Sequence, residues 1–214
     1  SRLYKRYLDD RLAGQIRELL AYEDRLFDPG TGNWLDLRSQ PGSKLANHKP
    51  DEKCSPAASK HVNDALGWCH GAPGILLARL ELKKNCPELG RAIVDKDIIR
   101  AMDKLSGNIY RPGFCLCHGN FGNSRIALKG IASAAEERHK RHLPGSDTGL
   151  EIQAAAAWQF YKRTKEEVLF KIVHGGLLPQ ERYNPGFMTG LSGIGYSLLQ
   201  YCAPKLPDIL ALEL

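Results

Sequence analysis

Long apolar runs are missing from this sequence of 214 residues. No segment approaches the roughly 18 consecutive apolar residues that a membrane-spanning helix needs, so we expect no integral membrane span. The composition, with 43% hydrophobic and 25% charged residues, is that of an ordinary globular chain. The length suits one domain with a sizeable core, and one domain is therefore predicted.

The beginning of the sequence lacks both an initiator methionine and the apolar core of a signal peptide. It runs instead directly into a helical pattern of apolar positions formed by Leu12, Ile16, Leu19 and Leu20. We therefore expect the chain to be part of a longer polypeptide.

Aromatic residues are absent from the one dense basic segment, residues 138–142. The net charge of +6 attracts anions in general, but surfaces that bind nucleic acid interleave aromatic rings with their basic residues for base stacking. The segment is therefore predicted to be a solvated loop, and no nucleic-acid partner is expected.

Disulfide bonds are not required by a chain of this size, although it contains six cysteines. Its hydrophobic content is enough to build a core without covalent cross-links. We therefore expect reduced thiols and a cytoplasmic location. In that compartment, a cysteine close to a histidine indicates metal binding or catalysis.

Convincing strand patterns are also missing, and glycine-rich motifs alternate with apolar helical segments instead. Three motifs align, at residues 70–74, 118–122 and 189–193. The first two begin 48 residues apart, which is enough for one helix, a turn and a returning helix. The pattern predicts an all-α fold of repeated helical hairpins. A solenoid or closed ring of hairpins would bring the turns to one common mouth.

Local signals mark further boundaries. Ser55 before Pro56 fits a helix cap, and Thr148 with Glu151 fits a capping box. Residues 28–50 contain clusters of glycine, proline and polar residues and are predicted to be a long polar connection.

Two Cys-His pairs are the residues most indicative of chemistry: Cys69 with His70, and Cys117 with His118. Zinc selects thiolate and imidazole ligands, and two cysteines with one histidine leave the fourth tetrahedral position open, as in a catalytic site. Adjacent Cys117 and His118 can reach one ion only from an irregular turn, which the neighbouring glycines permit. On spacing alone, Cys115 competes with Cys117 as a ligand.

The other cysteines and histidines are not predicted to belong to this site. Those cysteines have no neighbouring histidine and are assigned to the core or the surface: Cys54, Cys86 and Cys202. The histidines lie in polar surroundings, except His174, which precedes two glycines and is predicted to be a turn residue.

Three ordered motifs resemble those of the LanC-like lanthionine cyclases: WCHGAPGI at residues 68–75, CHG at 117–119 and MTGLSGIGY at 188–196. Residues 207–213 are similar to the C-terminus of the class II lanthipeptide synthetases, which join a dehydratase to a cyclase. Together with residues 33–38, the resemblance covers nearly the whole chain.

The resemblance implies an α/α-toroid, which is a ring of helical hairpins, with zinc held by Cys69, Cys117 and His118. A cysteine thiolate of a dehydrated precursor peptide would take the fourth position. Two protein thiolates already balance the charge of the zinc ion, so a third keeps electron density for attack on an electron-poor alkene. Addition to dehydroalanine or dehydrobutyrine would form the thioether rings of a lanthipeptide.

A general acid must also protonate the α-carbon after the addition. We assign this catalytic role to His70, because it is titratable and adjoins a predicted ligand. Two other roles stay open for His70: contact with the peptide, or a hydrogen bond that supports a ligand.

The sequence departs from the family in its first part. Family members carry an additional His-Gly motif on an earlier stretch of the toroid, and nothing before Trp34 resembles it. We therefore expect residues 1–214 to be a partial cyclase domain, spanning the C-terminal half or so of the toroid and lacking the dehydratase domain. Its expected partners are the precursor peptide and the upstream part of the same synthetase, and alone it should cyclise peptide poorly.

Two alternative functions are compatible with the same motifs. The first is activation of glutathione or another thiol for addition to dehydrated residues. The second is a zinc-stabilised helical scaffold that binds peptide without catalysis. The fourth zinc ligand separates these classes, because a water or an exogenous thiol favours catalysis and a protein ligand favours structure.

Overall fold

The architecture was obtained as a computed structural model and is described for residues 1–36, 65–140, 148–177 and 183–211. These residues are mostly helical, which confirms the all-α prediction. The helices are α1 Arg2–Tyr7, α2 Asp10–Asp24, α3 Ala72–Asn85, α4 Arg91–Ser106, α5 Asn120–Lys140, α6 Thr148–Val173 and α7 Leu191–Cys202, followed by a 3-10 turn at Ile209–Ala211. Within the described ranges, no helix combines the length and the apolar character needed to cross a membrane.

Helices pack in successive pairs, as the repeat pattern predicts. Helix α3 packs against α4, α5 packs against α6, and α3 also contacts α5. Leu76 of α3, Phe121 of α5 and Ile194 of α7 are at most 1% exposed and belong to one shared core. The hairpins therefore bury their apolar faces against one another, while closure into a ring stays a prediction.

Each glycine-rich motif forms a tight turn that leads into the first turn of a helix. In each turn, a glycine packs against the carbonyl oxygen of the residue six positions earlier: Gly74 on Trp68, Gly122 on Leu116 and Gly193 on Phe187. A Cβ atom at any of these positions would overlap with the backbone there. This close approach explains why the motif has glycine at this position in all three repeats.

The first motif differs from the other two because it uses a side chain to close the turn. In the others, a backbone N–H donates to the carbonyl seven residues earlier: Asn120 to Gly113 at 2.9 Å, and Leu191 to Asn184 at 2.8 Å. In the first motif, the Asn33 amide bridges the corresponding groups. Its Nδ2 donates to the Ala65 carbonyl at 3.1 Å, and its Oδ1 accepts from the Ala72 N–H at 2.8 Å.

Asn33 reaches the motif from a small β-hairpin, in which β1 Phe27–Asp28 pairs antiparallel with β2 Asn33–Trp34. Asn33 and Trp34 are only 1% and 3% exposed. The prediction of a polar connection without strands is therefore wrong for the beginning of residues 28–50. Strands of two residues are too short to produce an alternating pattern. Residues 37–50 and the predicted cap at Ser55 lie outside the described residues.

The basic segment at 138–142 also differs from its prediction. Helix α5 continues to Lys140, so Arg138, His139 and Lys140 form the last helical turn rather than a loop. Basic side chains at a helix C-terminus interact favourably with the helix dipole, and Lys140 also pairs with Glu136 at 2.7 Å. His174 lies in a turn after α6, as predicted.

Replacing Asn33 with alanine is expected to lower the free energy of unfolding by about 2–4 kcal/mol, because the Ala65 carbonyl and the Ala72 N–H both lose their hydrogen-bond partner. Urea denaturation measures this change. Asn108→Ala is a matched control, since the Asn108 side chain also donates to a backbone carbonyl, that of Lys104, but in an exposed position. A loss of stability as small as that of the control would contradict the bridging role of Asn33.

Candidate metal and thiol site

The three glycine-rich turns lie side by side and are joined by backbone hydrogen bonds. The Trp68 N–H donates to the Cys117 carbonyl at 2.5 Å, and the Cys117 N–H donates to the Met188 carbonyl at 2.8 Å. A Cβ atom on Gly67 would lie 3.0 Å from the Cβ of His118. The two turns that carry Cys-His pairs are therefore direct neighbours.

Cys69 and Cys117 occupy equivalent positions in these two turns, and their side chains are hydrogen-bonded to each other. Cys69 is exposed, whereas Cys117 is 8% exposed. The hydrogen bond to Cys69, followed by burial, raises the pKa of the Cys117 thiol above its ordinary value. Two adjacent thiols resist ionising together, and a bound divalent cation reverses that preference.

Cys115 does not occupy the position in its turn that Cys69 occupies in the first turn. It is 1% exposed and occupies the position that corresponds to Gly67 in the first turn. The Cys117 side chain is hydrogen-bonded to that of Cys69. The geometry therefore favours Cys117 as the partner of Cys69, a choice that the spacing alone leaves open.

His118 follows Cys117 directly and is exposed. Among the residues that the structure describes, no three histidine, cysteine or acidic side chains form a group that could hold a metal ion. The structure therefore brings two of the three predicted ligands, Cys69 and Cys117, into contact, and the third, His118, follows Cys117 directly along the chain.

His70 lies at the end of a narrow turn, in which Gly67 and His70 exchange backbone hydrogen bonds of 2.9 and 3.1 Å. Gly71 follows with a φ of 74°, which glycine adopts without strain, and caps helix α3. The turn places Trp68 and Cys69 at its tip. The His70 Nε2 lies 3.8 Å from the Asp36 Oδ2.

Asp36 is a candidate site residue that the sequence analysis does not single out. It is 6% exposed and follows strand β2 by two residues. A cavity of about 490 Å³ opens here, and Asp36, Trp68, Cys69 and His70 line it. Residues 33–38 belong to the family resemblance, but only the hairpin brings the carboxylate of Asp36 to His70.

Comparison with known proteins identifies the family. Residues 1–214 match the family described as Lanthionine synthetase C-like protein, and the chain belongs to that family. A similar relative is the Lacticin 481/lactococcin biosynthesis protein LcnDR2 of Lactococcus lactis subsp. lactis, with 27% identity over 157 residues. The alignment covers 64% of this chain and 14% of the relative, so the chain spans only a small part of that protein's length. The family recognition made from the three ordered motifs is confirmed.

The family resemblance implies a zinc ion, and the donor atoms of the residues present show whether they suit it. Cys69 and Cys117 offer two soft sulfur ligands whose side chains are in contact, and His118 follows Cys117 directly in the chain. Sulfur and imidazole nitrogen are the ligand types that zinc prefers. The residues therefore fit zinc by the chemistry of their donor atoms.

Proposed function

We propose that this chain carries a zinc-dependent lanthionine cyclase site, which adds a cysteine thiol of a dehydrated precursor peptide to dehydroalanine or dehydrobutyrine. The contact between the Cys69 and Cys117 side chains carries the proposal, because two soft ligands from separate helical repeats meet beside a cavity. Membership in the Lanthionine synthetase C-like family supports it, as does the similarity to a protein named for lacticin 481 biosynthesis.

In this proposal, Cys69, Cys117 and His118 hold the zinc ion. A zinc ion held by these residues would supply the Lewis acidity that lowers the pKa of a substrate thiol. Cys69 and Cys117 contribute negative charge, which keeps electron density on the incoming sulfur. The cavity beside Cys69 gives the peptide access to this position.

The addition forms one bond, between the thiolate sulfur and the β-carbon of the dehydrated residue. The π electrons of the alkene move toward the α-carbon, which must then gain a proton. His70 lines the same cavity as Cys69, and the Asp36 carboxylate lies 3.8 Å from its imidazole. We assign proton delivery to His70 and the orientation of its ring to Asp36.

The test uses this chain and, in parallel, the natural gene product that contains it. Zinc-loaded protein receives a peptide with one dehydroalanine and one cysteine. Ring closure is an isomerisation, so it appears as loss of the free thiol without a change in peptide mass. Zinc-dependent closure by the gene product supports the proposal, and no closure by fully zinc-loaded gene product would contradict it. The chain alone is expected to close rings poorly.

The same assay separates the two alternative functions. With glutathione and a dehydrated peptide that lacks cysteine, addition of glutathione would increase the peptide mass and would point to an external thiol as substrate. A peptide-binding scaffold would bind zinc with a protein group as fourth ligand. Its cobalt-substituted form would then show no spectral change when a cysteine peptide is added.

Changing His70 to asparagine in the gene product is expected to slow ring closure by roughly 10²-fold or more, the usual scale for a lost general acid. The zinc content should stay near one ion per chain, because asparagine removes no proposed ligand. Metal analysis and the thiol assay measure the two quantities on the same sample.

His139→Asn is the matched control for this variant, since His139 is exposed in the last turn of α5, away from the thiol pair. Its rate should equal that of the unaltered protein. If zinc affinity and rate fall together in His70→Asn, by roughly 10 to 100-fold, His70 supports a ligand instead. An unchanged rate removes His70 from the mechanism.

A further inference from the structure

Residues 207–211, here called the anchor segment, are held against helix α5 by a buried carboxylate. Asp208 is 7% exposed and binds two cations of α5: Arg125 at 3.0 Å and Lys129 at 2.7 Å. The Asp208 Oδ1 also accepts from the Leu210 N–H at 3.0 Å. One side chain therefore both attaches the segment to α5 and begins its 3-10 turn.

Helix α7 holds the same segment from a second side. The Tyr196 hydroxyl and the Gln200 amide both donate to the Pro207 carbonyl at 2.8 Å. Leu210 and Ala211 are then 3% and 6% exposed. The position of the Leu210 backbone is therefore fixed by two helices and by burial of its side chain.

The fixed Leu210 carbonyl accepts a hydrogen bond from the Trp68 Nε1 at 3.0 Å. Trp68 immediately precedes Cys69, and its own backbone N–H donates to the Cys117 carbonyl. Its backbone carbonyl packs against Gly74 at the start of α3. Trp68 therefore links the anchor segment to both halves of the thiol pair.

We propose that the anchor segment positions the thiol pair: Asp208 fixes the turn, the Leu210 carbonyl fixes the Trp68 indole, and the indole sets where Cys69 meets Cys117. Cys69 is exposed at the tip of a narrow turn, so its side chain depends on its neighbours for a defined position. The consequence for catalysis rests on the proposed function. The geometry of the two thiols is independent of it and can be measured separately.

Two variants of the full chain test this inference. Trp68→Phe keeps an aromatic ring but removes the Nε1 donor, and Asp208→Asn keeps the shape of the side chain but removes the charge that binds Arg125 and Lys129. The probe is a trivalent aryl arsenical, which captures two thiols only when their sulfurs lie close together. Zinc-free protein is titrated with it, and zinc affinity is measured in a second titration.

Both variants are expected to weaken arsenical capture about tenfold and zinc affinity by roughly 10 to 100-fold, the range seen when a supporting hydrogen bond of a metal ligand is lost. The matched controls should bind as the unaltered protein does: Trp158→Phe, an exposed tryptophan of α6, and Asp103→Asn, an exposed aspartate of α4. Cys69→Ala should abolish capture, which shows that the probe reports this pair.

A purely structural role gives a different result. The variants would then unfold at lower urea concentration but capture the arsenical under native conditions as well as the unaltered protein, which overturns the inference. Should Asp208→Asn fail to fold, Trp68→Phe decides alone. Failure of the proposed function would give a third result. The unaltered protein would then capture the arsenical but bind no zinc.

Discussion

A variant in which Cys69 and Cys117 are both replaced by alanine is expected to bind essentially no zinc, whereas the unaltered protein should bind about one ion per chain. The two thiols are hydrogen-bonded to each other, and removing both leaves the imidazole of His118 as the only proposed ligand. One imidazole does not hold zinc against dialysis. Elemental analysis of dialysed protein gives the stoichiometry.

Two single variants make this experiment specific. Cys202→Ala removes an exposed thiol at the end of α7 and should keep the full zinc content. Cys115→Ala removes a buried thiol and should also keep it, because the contact with Cys69 is made by Cys117. Loss of zinc in Cys115→Ala alone would transfer the ligand role to Cys115, and full zinc in the double variant would refute the site.

Gly193→Ala is expected to lower the free energy of unfolding by about 3 kcal/mol or more, the upper range for overpacking against atoms that cannot move aside. A Cβ atom there would overlap with the Phe187 carbonyl and lie 3.1 Å from the Cδ1 of Leu116. The Phe187 carbonyl belongs to the backbone and cannot rotate away as a side chain can, so the whole turn must shift. Urea denaturation measures the loss.

Gly195→Ala is the matched control on the same helix, two residues further along. No atom lies within 4 Å of a Cβ built at Gly195. Alanine also loses less conformational entropy than glycine in a helix, so this variant should be more stable by about 0.5–1 kcal/mol. Equal stability of the two variants would mean that the close packing of the third turn is not needed for folding.

The repeated helical pattern could be predicted from the sequence because its signal is periodic. The apolar runs after the three motifs bury one face of α3, α5 and α7, and each helix begins close to where the glycines indicate. The β-hairpin at Phe27 and Trp34 could not be predicted, because two-residue strands have no period. Its stability comes from packing and from pairing across the turn.

The spacing of the Cys-His pairs predicted which residue types are chemically relevant, but not their partners. Cys115 and Cys117 are two positions apart, and either is compatible with a metal ligand on spacing alone. The turn buries Cys115 and brings Cys117 to Cys69. Backbone hydrogen bonds between the turns decide this, and they join residues far apart in the chain.

The sequence by itself determined the helical repeats, the turns that require glycine, the family and the candidate ligands, because these are encoded by local spacing and by residue type. The tertiary structure alone decided that Asn33 closes the first turn, that Asp36 faces His70, and that the carbonyl of Leu210 holds Trp68. Each of these contacts joins segments more than 30 residues apart. Such contacts depend on how the helices pack, and no local pattern records them.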